Sequence, residues 1–267
     1  VIDADTDDNG AGTFTLAASK VLSTTGNTLS VTADDIALSG TLNSGGAATT
    51  ILVSDGGTIG LGATAGNMTI SGAELQNITA TGLTIGDATN GSITVNGITA
   101  ANSNNVSGTV TLNATQDNAS LAFSGSASTF NALSASADDG MSLNANVTTD
   151  TGALALDGDA DNAADGTDNI AFGNGVTVTS ASTLTLNATT GAMTGAGALT
   201  LNAAAGLSLN DNLTTGGATV IDADSDDNGA GSFTVSAATV LNTTNNTLSI
   251  TADDLTLTGT IDTGTAA

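Results

Sequence analysis

Short segments in which aliphatic residues alternate with Thr, Ser or Ala recur along the whole chain. Alternation with a period of two predicts β-strands that bury one face. The segments are only three to five residues long, and the Gly, Asn, Asp and Ser residues between them favour turns. No stretch keeps a helical period, so we expect essentially no helix. Examples of the pattern are Leu29–Val31, Ile51–Val53, Leu83–Ile85, Val110–Leu112, Leu154–Leu156 and Leu184–Leu186.

The sequence also repeats itself over a long distance. Residues 1–45 return as residues 220–264, with 30 identical residues in 45 aligned positions and an offset of 219. Such a restart is typical of a repeat array. We therefore divide the chain into one full super-repeat, residues 1–219, and the start of the next copy, residues 220–267.

Many short strands permit two all-β architectures. A parallel β-helix, or β-solenoid, stacks small aliphatic side chains into one narrow core. Tandem β-sandwich domains are the alternative, but they use longer strands and a larger core, often with Trp or Tyr. We favour the β-solenoid. With about 20 residues per coil, the super-repeat would hold about 11 coils and advance roughly 50 Å at ~4.8 Å per coil.

The two ends of the chain resemble each other, and neither has the atypical sequence that closes most repeat arrays. We therefore expect an open-ended rod, either part of one giant chain or a subunit that stacks end to end on copies of itself. The chain begins with Val1 and no signal-like segment follows. We expect it to be an internal or processed piece of a longer protein.

Charge narrows the choice of partners. The 267 residues include 26 acidic side chains, one basic side chain (Lys20), no His, Cys, Pro, Trp or Tyr, and a net charge of −25. Nucleic-acid binding requires many cations, so we expect no nucleic-acid partner. No apolar run is long enough to cross a membrane, so we expect no membrane insertion. Divalent cations are the partners that this charge would attract.

An acidic loop motif occurs in both copies of the repeat and predicts calcium sites. Alternate carboxylates and an amide in a tight loop supply the oxygen ligands that Ca²⁺ prefers. The motif resembles the first half of an EF-hand loop, without the Glu that would complete it. A solvated acidic turn is the competing interpretation. The candidate ligands are Asp3, Asp5, Asp7 and Asn9, their counterparts Asp222, Asp224, Asp226 and Asn228, and a looser run of Asp157, Asp159 and Asp161.

We expect no enzymatic activity and assign no catalytic residue. The paired carboxylates at Asp34-Asp35, Asp138-Asp139 and Asp253-Asp254 could suggest a glycosidase. Adjacent residues on a strand point to opposite faces, so such a pair cannot flank one substrate bond. The one cation of the chain, Lys20, is replaced by Thr239 in the second copy.

The segment from Leu199 to Asp224, with its Leu-Thr-Leu-Asn-Ala strand and Asn-Leu-Thr-Thr-Gly-Gly turn, resembles the repeats of filamentous-haemagglutinin-type exoproteins and related bacterial β-strand-repeat surface proteins. The resemblance implies a right-handed parallel β-helix, export across the outer membrane, an extracellular or cell-surface location, and a role in adhesion or matrix. We expect a structural segment of an extracellular filament, sheath or surface fibre, stabilised by calcium. The alternative is the stalk of an adhesin whose binding tip lies elsewhere.

Overall fold

The computed structural model describes residues 1–265, and in that range the chain forms an open parallel β-solenoid. Every strand pairing is parallel, and the longest sheets contain 11 and 10 strands. The antiparallel sheets that a sandwich requires are absent from the described range, so the predicted solenoid is confirmed and the sandwich alternative is wrong. Each turn of the solenoid contributes two to four strands, which stack on the turns before and after it.

The first face of the solenoid is a continuous sheet of 11 strands. Numbered in chain order, its strands are β1 (Ile2–Asp3), β4 (Leu29–Ala33), β7 (Ala48–Val53), β11 (Gly82–Ile85), β13 (Thr109–Ala114), β16 (Ala132–Ala137), β19 (Leu154–Asp157), β22 (Leu184–Asn187), β25 (Leu207–Leu209), β28 (Ser232–Val235) and β31 (Asp254–Leu257).

The second face follows the first in each turn and consists of two stacked sheets. The short sheet contains β2 (Thr13–Leu16) and β5 (Asp35–Leu38). The long sheet contains β8 (Ile59–Gly62), β9 (Met68–Ile70), β12 (Ile93–Asn96), β14 (Leu121–Phe123), β17 (Met141–Leu143), β20 (Ile170–Phe172), β23 (Met193–Gly195), β26 (Leu213–Thr215), β29 (Val240–Asn242) and β32 (Thr260–Asp262). Strand β9 lies next to β5, and the Thr69 N–H donates to the Asp35 carboxylate, which joins the two sheets.

The third face closes each turn. Its first sheet contains β3 (Val21–Ser23), β6 (Thr41–Asn43) and β10 (Ile78–Thr79). Its second sheet contains β15 (Ser128–Phe130), β18 (Val147–Thr149), β21 (Val176–Ser180), β24 (Leu199–Ala203), β27 (Thr219–Asp222) and β30 (Leu248–Thr251).

Two short helices interrupt the third face, and the sequence patterns did not predict them. Helix α1 (Gly72–Gln76) begins at a capping box in which Ser71 and Glu74 satisfy each other's backbone N–H groups. Helix α2 (Ala100–Ser103) begins at a similar box formed by Thr99 and Asn102. Helices of five and four residues are too short to produce a helical period in the sequence.

The core is a set of side-chain ladders that run along the rod. On the second face, Leu121, Met141, Ile170, Met193 and Leu213 occupy successive register positions and are all buried. A ladder forms because parallel strands in register place every inward position over an inward position in the next turn. The alternating aliphatic pattern therefore generates one continuous core.

The two copies of the repeat fold in the same register but on different faces. Ile2 pairs with Val31 on the first face, and the equivalent Ile221 pairs with Ile250 on the third face. The pairings of β2 with β5 and of β3 with β6 recur in the same way, as β28 with β31 and β29 with β32.

The long period is therefore not a whole number of turns. Strand β25 lies eight turns after β1, and β27, the counterpart of β1, lies two faces later. One period is about 8⅔ turns and rises roughly 42 Å at ~4.8 Å per turn. The expected 11 coils of about 20 residues are wrong, because turns measured on the first face vary from 20 residues, between Leu29 and Thr49, to 34 residues, between Thr49 and Leu83.

Candidate functional site: an acidic ridge

The corner between the first and second faces carries acidic residues in seven consecutive turns. We call this line the acidic ridge. It extends about 29 Å along the rod at ~4.8 Å per turn. The next corner, residues 188–192, has no acidic residue. The ridge consists of Asp5, Asp7, Asp8, Asp34, Asp55, Asp87, Asp117, Asp138, Asp139, Asp159, Asp161, Asp165 and Asp168.

At the N-terminal end of the ridge, carboxylates from three turns face one another. Partial desolvation raises the pKa of Asp55, and the charges of Asp5, Asp8 and Asp34 raise it further. The pKa of Asp5 is lowered instead, because the Ser54 hydroxyl donates a hydrogen bond to Asp5 Oδ2 at 2.7 Å. The carboxylates of these neighbouring turns carry like charges, so their repulsion opposes the ionisation of Asp55.

The predicted calcium loop around Asp5 is satisfied largely by its own groups. The Gly10 N–H donates to Asp5 Oδ2 at 3.1 Å, and the Asp5 N–H donates to Asp3 Oδ1 at 3.1 Å. The amide nitrogen of Asn9 donates to Asp7 Oδ2 at 2.8 Å. The second copy forms the same loop, in which Asp222 accepts from the Asp224 N–H, Asp224 from the Gly229 N–H and Asp226 from the Asn228 amide.

The C-terminal end of the ridge is its more crowded part. Burial raises the pKa of Asp138, and the charges of Asp161, Asp165 and Asp117 raise it further, against a hydrogen bond from the Asn118 N–H. Partial desolvation raises the pKa of Asp165, and the charges of Asp161, Asp168 and Asp117 raise it further. No basic side chain lies in these turns, because the one Lys of the chain is at position 20.

Two buried carboxylates in this part meet at Thr190 of the next turn. The Thr190 N–H donates to Asp159 Oδ2, and the Thr190 hydroxyl lies 3.2 Å from both Asp168 Oδ2 and the Ala163 carbonyl oxygen. Asp159 is fully buried and Asp168 is 5% exposed. The Oδ1 atom of each carboxylate is buried without a hydrogen-bond partner. A buried charge without a partner is costly, so a cation beside these oxygens would stabilise this arrangement.

The structure places the candidate ligands as follows. Asp5, Asp7, Asp159 and Asp161 lie on the ridge. The loop with Asp222, Asp224, Asp226 and Asn228 lies on the corner between the third and first faces, because the second copy is rotated by one face. Asp224 Oδ1 is also buried without a partner. Asp157 is at the end of β19, and burial raises its pKa.

Within residues 1–265, no group of three or more acidic side chains is arranged so that it could hold a metal ion. The predicted ligand sets therefore stay predictions. The sequence analysis also missed that Asp34, Asp55, Asp87, Asp117 and Asp138 align with the two acidic loops. Their spacings of 21, 32, 30 and 21 residues follow the lengths of the turns, and no local motif marks them.

Comparisons of this chain with models of protein families, with curated proteins and with solved structures find no match. Neither helix in the described part of the chain has the length and apolar character needed to cross a membrane.

Proposed function

We propose that this chain is a structural segment of an extracellular β-solenoid filament, sheath or surface fibre that assembles end to end. The observation that carries the proposal is that the second copy of the repeat stacks directly on the first, β27 on β24, and repeats its register, so that the winding continues from one copy into the next. At the C-terminal end, Leu255 and Leu257 are 51% and 47% exposed, whereas their first-copy counterparts Ile36 and Leu38 are 3% and 2% exposed. Open parallel edges with apolar side chains favour pairing with another edge.

Electron microscopy of the purified protein over a range of concentrations tests the proposal. We expect filaments of uniform width whose length grows with protein concentration. Rods that keep one fixed length of roughly 50 Å, ten steps of ~4.8 Å, would contradict end-to-end assembly. That result would favour the stalk of an adhesin, which also needs a stiff rod but no polymerisation.

We also propose that calcium binds along the acidic ridge and stabilises the rod. The buried, unpartnered Oδ1 atoms of Asp159 and Asp168 support this proposal, since Ca²⁺ accepts carboxylate and carbonyl oxygens as ligands. Cations would also reduce repulsion between the stacked carboxylates of neighbouring turns. With a net charge of −25, few groups of the chain can offset that repulsion.

Calorimetric titration of chelator-treated protein with Ca²⁺, combined with thermal unfolding, tests the calcium proposal. We expect heat of binding and a higher melting temperature. The variants Asp159→Asn and Asp168→Asn should lose most of the gain, whereas Asp150→Asn, an exposed acid between β18 and β19, should keep it. No heat and no change in melting temperature in the parent protein would refute calcium binding, but it would leave end-to-end assembly intact.

A further inference from the structure

Two corners of the acidic ridge begin with the same Asp-x-Asp turn, in which the second carboxylate is buried. The Asp5 N–H donates to Asp3 Oδ1 at 3.1 Å, and the Asp159 N–H donates to Asp157 Oδ1 at 3.1 Å. Asp5 is 3% exposed and Asp159 is fully buried. Each corner therefore buries a negative charge that needs hydrogen-bond donors or a cation beside it.

At the first of these corners, the protein itself supplies the donors. The Ser54 hydroxyl and the Gly10 N–H donate to Asp5 Oδ2 at 2.7 and 3.1 Å, and the Asn9 N–H donates to Asp5 Oδ1 at 3.4 Å. These hydrogen bonds, that of Ser54 first, hold the pKa of Asp5 below its ordinary value. The charged Asp5 carboxylate is thus stabilised without an ion.

At the second corner, the same charge has fewer donors and a second carboxylate joins it. The Thr190 N–H donates to Asp159 Oδ2. Asp168 Oδ2 accepts from the Gly166 N–H at 3.4 Å and lies 3.2 Å from the Thr190 hydroxyl. Within residues 1–265, the Oδ1 atoms of Asp159 and Asp168 are buried without a partner. One residue of the next turn therefore contacts two buried carboxylates, each with a free oxygen.

We propose that a single divalent cation, Ca²⁺ in preference to Mg²⁺, binds where the corner 158–169 meets Thr190 and fastens this corner to the next turn. The proposal rests on the proposed calcium binding and deepens it, because it places the ion and states what the ion does. The oxygens available to the ion are Asp159 Oδ1, Asp168 Oδ1, the Ala163 carbonyl oxygen and the Thr190 hydroxyl.

The kind of ligand favours calcium. Two carboxylates balance the charge of one divalent ion, and the exposed Asp161 and Asp165 in the same corner add to the attraction. Ca²⁺ accepts carboxylate, carbonyl and other oxygens in irregular geometry, whereas Mg²⁺ requires a nearly octahedral arrangement and usually keeps several water molecules. The burial of Asp159 and Asp168 leaves little room for those water molecules.

The corner 158–169 is also the part of the ridge that most needs fastening. It is the longest corner of the ridge, and most residues from 161 to 167 are exposed. Thr190 makes the hydrogen bonds that join the middle of this corner to the next turn. Repulsion between two buried carboxylates opposes that contact, and a segment with few buried contacts opens locally. A cation between the two turns would close it.

Hydrogen exchange measured by mass spectrometry on the full-length protein tests the site, in chelator, in Mg²⁺ and in Ca²⁺. When free Ca²⁺ is ten times the dissociation constant found by calorimetry, opening that releases the ion should become about tenfold rarer. Peptides that cover residues 158–169 and 188–192 should therefore exchange more slowly in Ca²⁺ and little more slowly in Mg²⁺. Peptides that cover residues 3–12 should not change. Equal slowing in residues 3–12 would overturn the assignment of the site.

Asparagine variants provide a test whose sign differs between the two corners. Asp159→Asn and Asp168→Asn should abolish the slowing by Ca²⁺, whereas Asp161→Asn, an exposed acid in the same corner, should keep most of it. In chelator, Asp159→Asn and Asp168→Asn should melt at or above the temperature of the parent, because each removes a buried charge with a free oxygen. Asp5→Asn should melt lower, because it removes a carboxylate that accepts three hydrogen bonds. Lower melting of Asp159→Asn and Asp168→Asn in chelator would contradict the proposal.

Calorimetry of the same variants separates failure of this site from failure of calcium binding. Loss of the heat of Ca²⁺ binding in Asp5→Asn or Asp224→Asn, with the heat kept in Asp159→Asn and Asp168→Asn, would overturn this site. The proposed calcium binding would then stand at another loop. Neither heat nor slower exchange in the parent protein would refute both proposals.

Discussion

Replacing the same phenylalanine in the two copies of the repeat measures how open the N-terminal end of the rod is. Phe233 lies in the first-face ladder between Leu207 and Leu255 and is fully buried. Phe14 pairs with Ile36 on one side and has no strand on the other. We expect Phe233→Ala to destabilise the protein by about 3–5 kcal/mol, the usual loss for a buried phenylalanine.

Phe14→Ala should destabilise the protein by roughly half of that or less, because no strand packs on one side of the Phe14 ring and the partly exposed ring is already hydrated. Urea unfolding followed by circular dichroism, at concentrations where sedimentation shows a monomer, measures both changes. Equal losses for the two variants at such concentrations would refute an open N-terminal end. A Phe14→Ala effect that grows with protein concentration would instead show that another molecule covers this edge.

Three further predictions concern the turns, the ridge and the one basic residue. Gly86→Ala should destabilise the protein by about 2 kcal/mol or more, since the φ of Gly86 is +81° and an added Cβ would lie 2.4 Å from a backbone oxygen. Gly26→Ala, at a φ of +87° but in open space, should destabilise it by only about 1 kcal/mol. Denaturant unfolding measures both losses. The raised pKa values of Asp138 and Asp165 mean that ionisation of these two carboxyl groups opposes folding. Without divalent ions, the melting temperature should therefore rise as the pH falls toward the ordinary Asp pKa of about 3.9. A melting temperature that only falls across that pH range would contradict repulsion along the acidic ridge. Trypsin should cut the native monomer only after the exposed Lys20. Circular dichroism should show that the later turns stay folded after the cut, since each turn contacts only its neighbours. Unfolding of the whole rod after this cut would contradict the prediction.

The sequence by itself determined the kind of fold. Alternation in segments such as Leu121–Phe123 specifies which side chains point inward, because successive residues of a strand point to opposite faces. The repeat of residues 1–45 at 220–264 specifies that the two copies pair in the same register. These features are local or depend on identity between copies, and both can be recognised without coordinates.

Only the tertiary structure decided which residues of successive turns lie one above the other. Each turn closes when its strands meet those of the turn below, and corner loops of different length, such as 158–169 and 138–140, leave the core unchanged. Residues as distant in sequence as Asp55 and Asp87 therefore lie on the same corner of neighbouring turns, although no fixed sequence spacing predicts this alignment. The acidic ridge and the 8⅔ turns of the period both follow from the sum of these loop lengths.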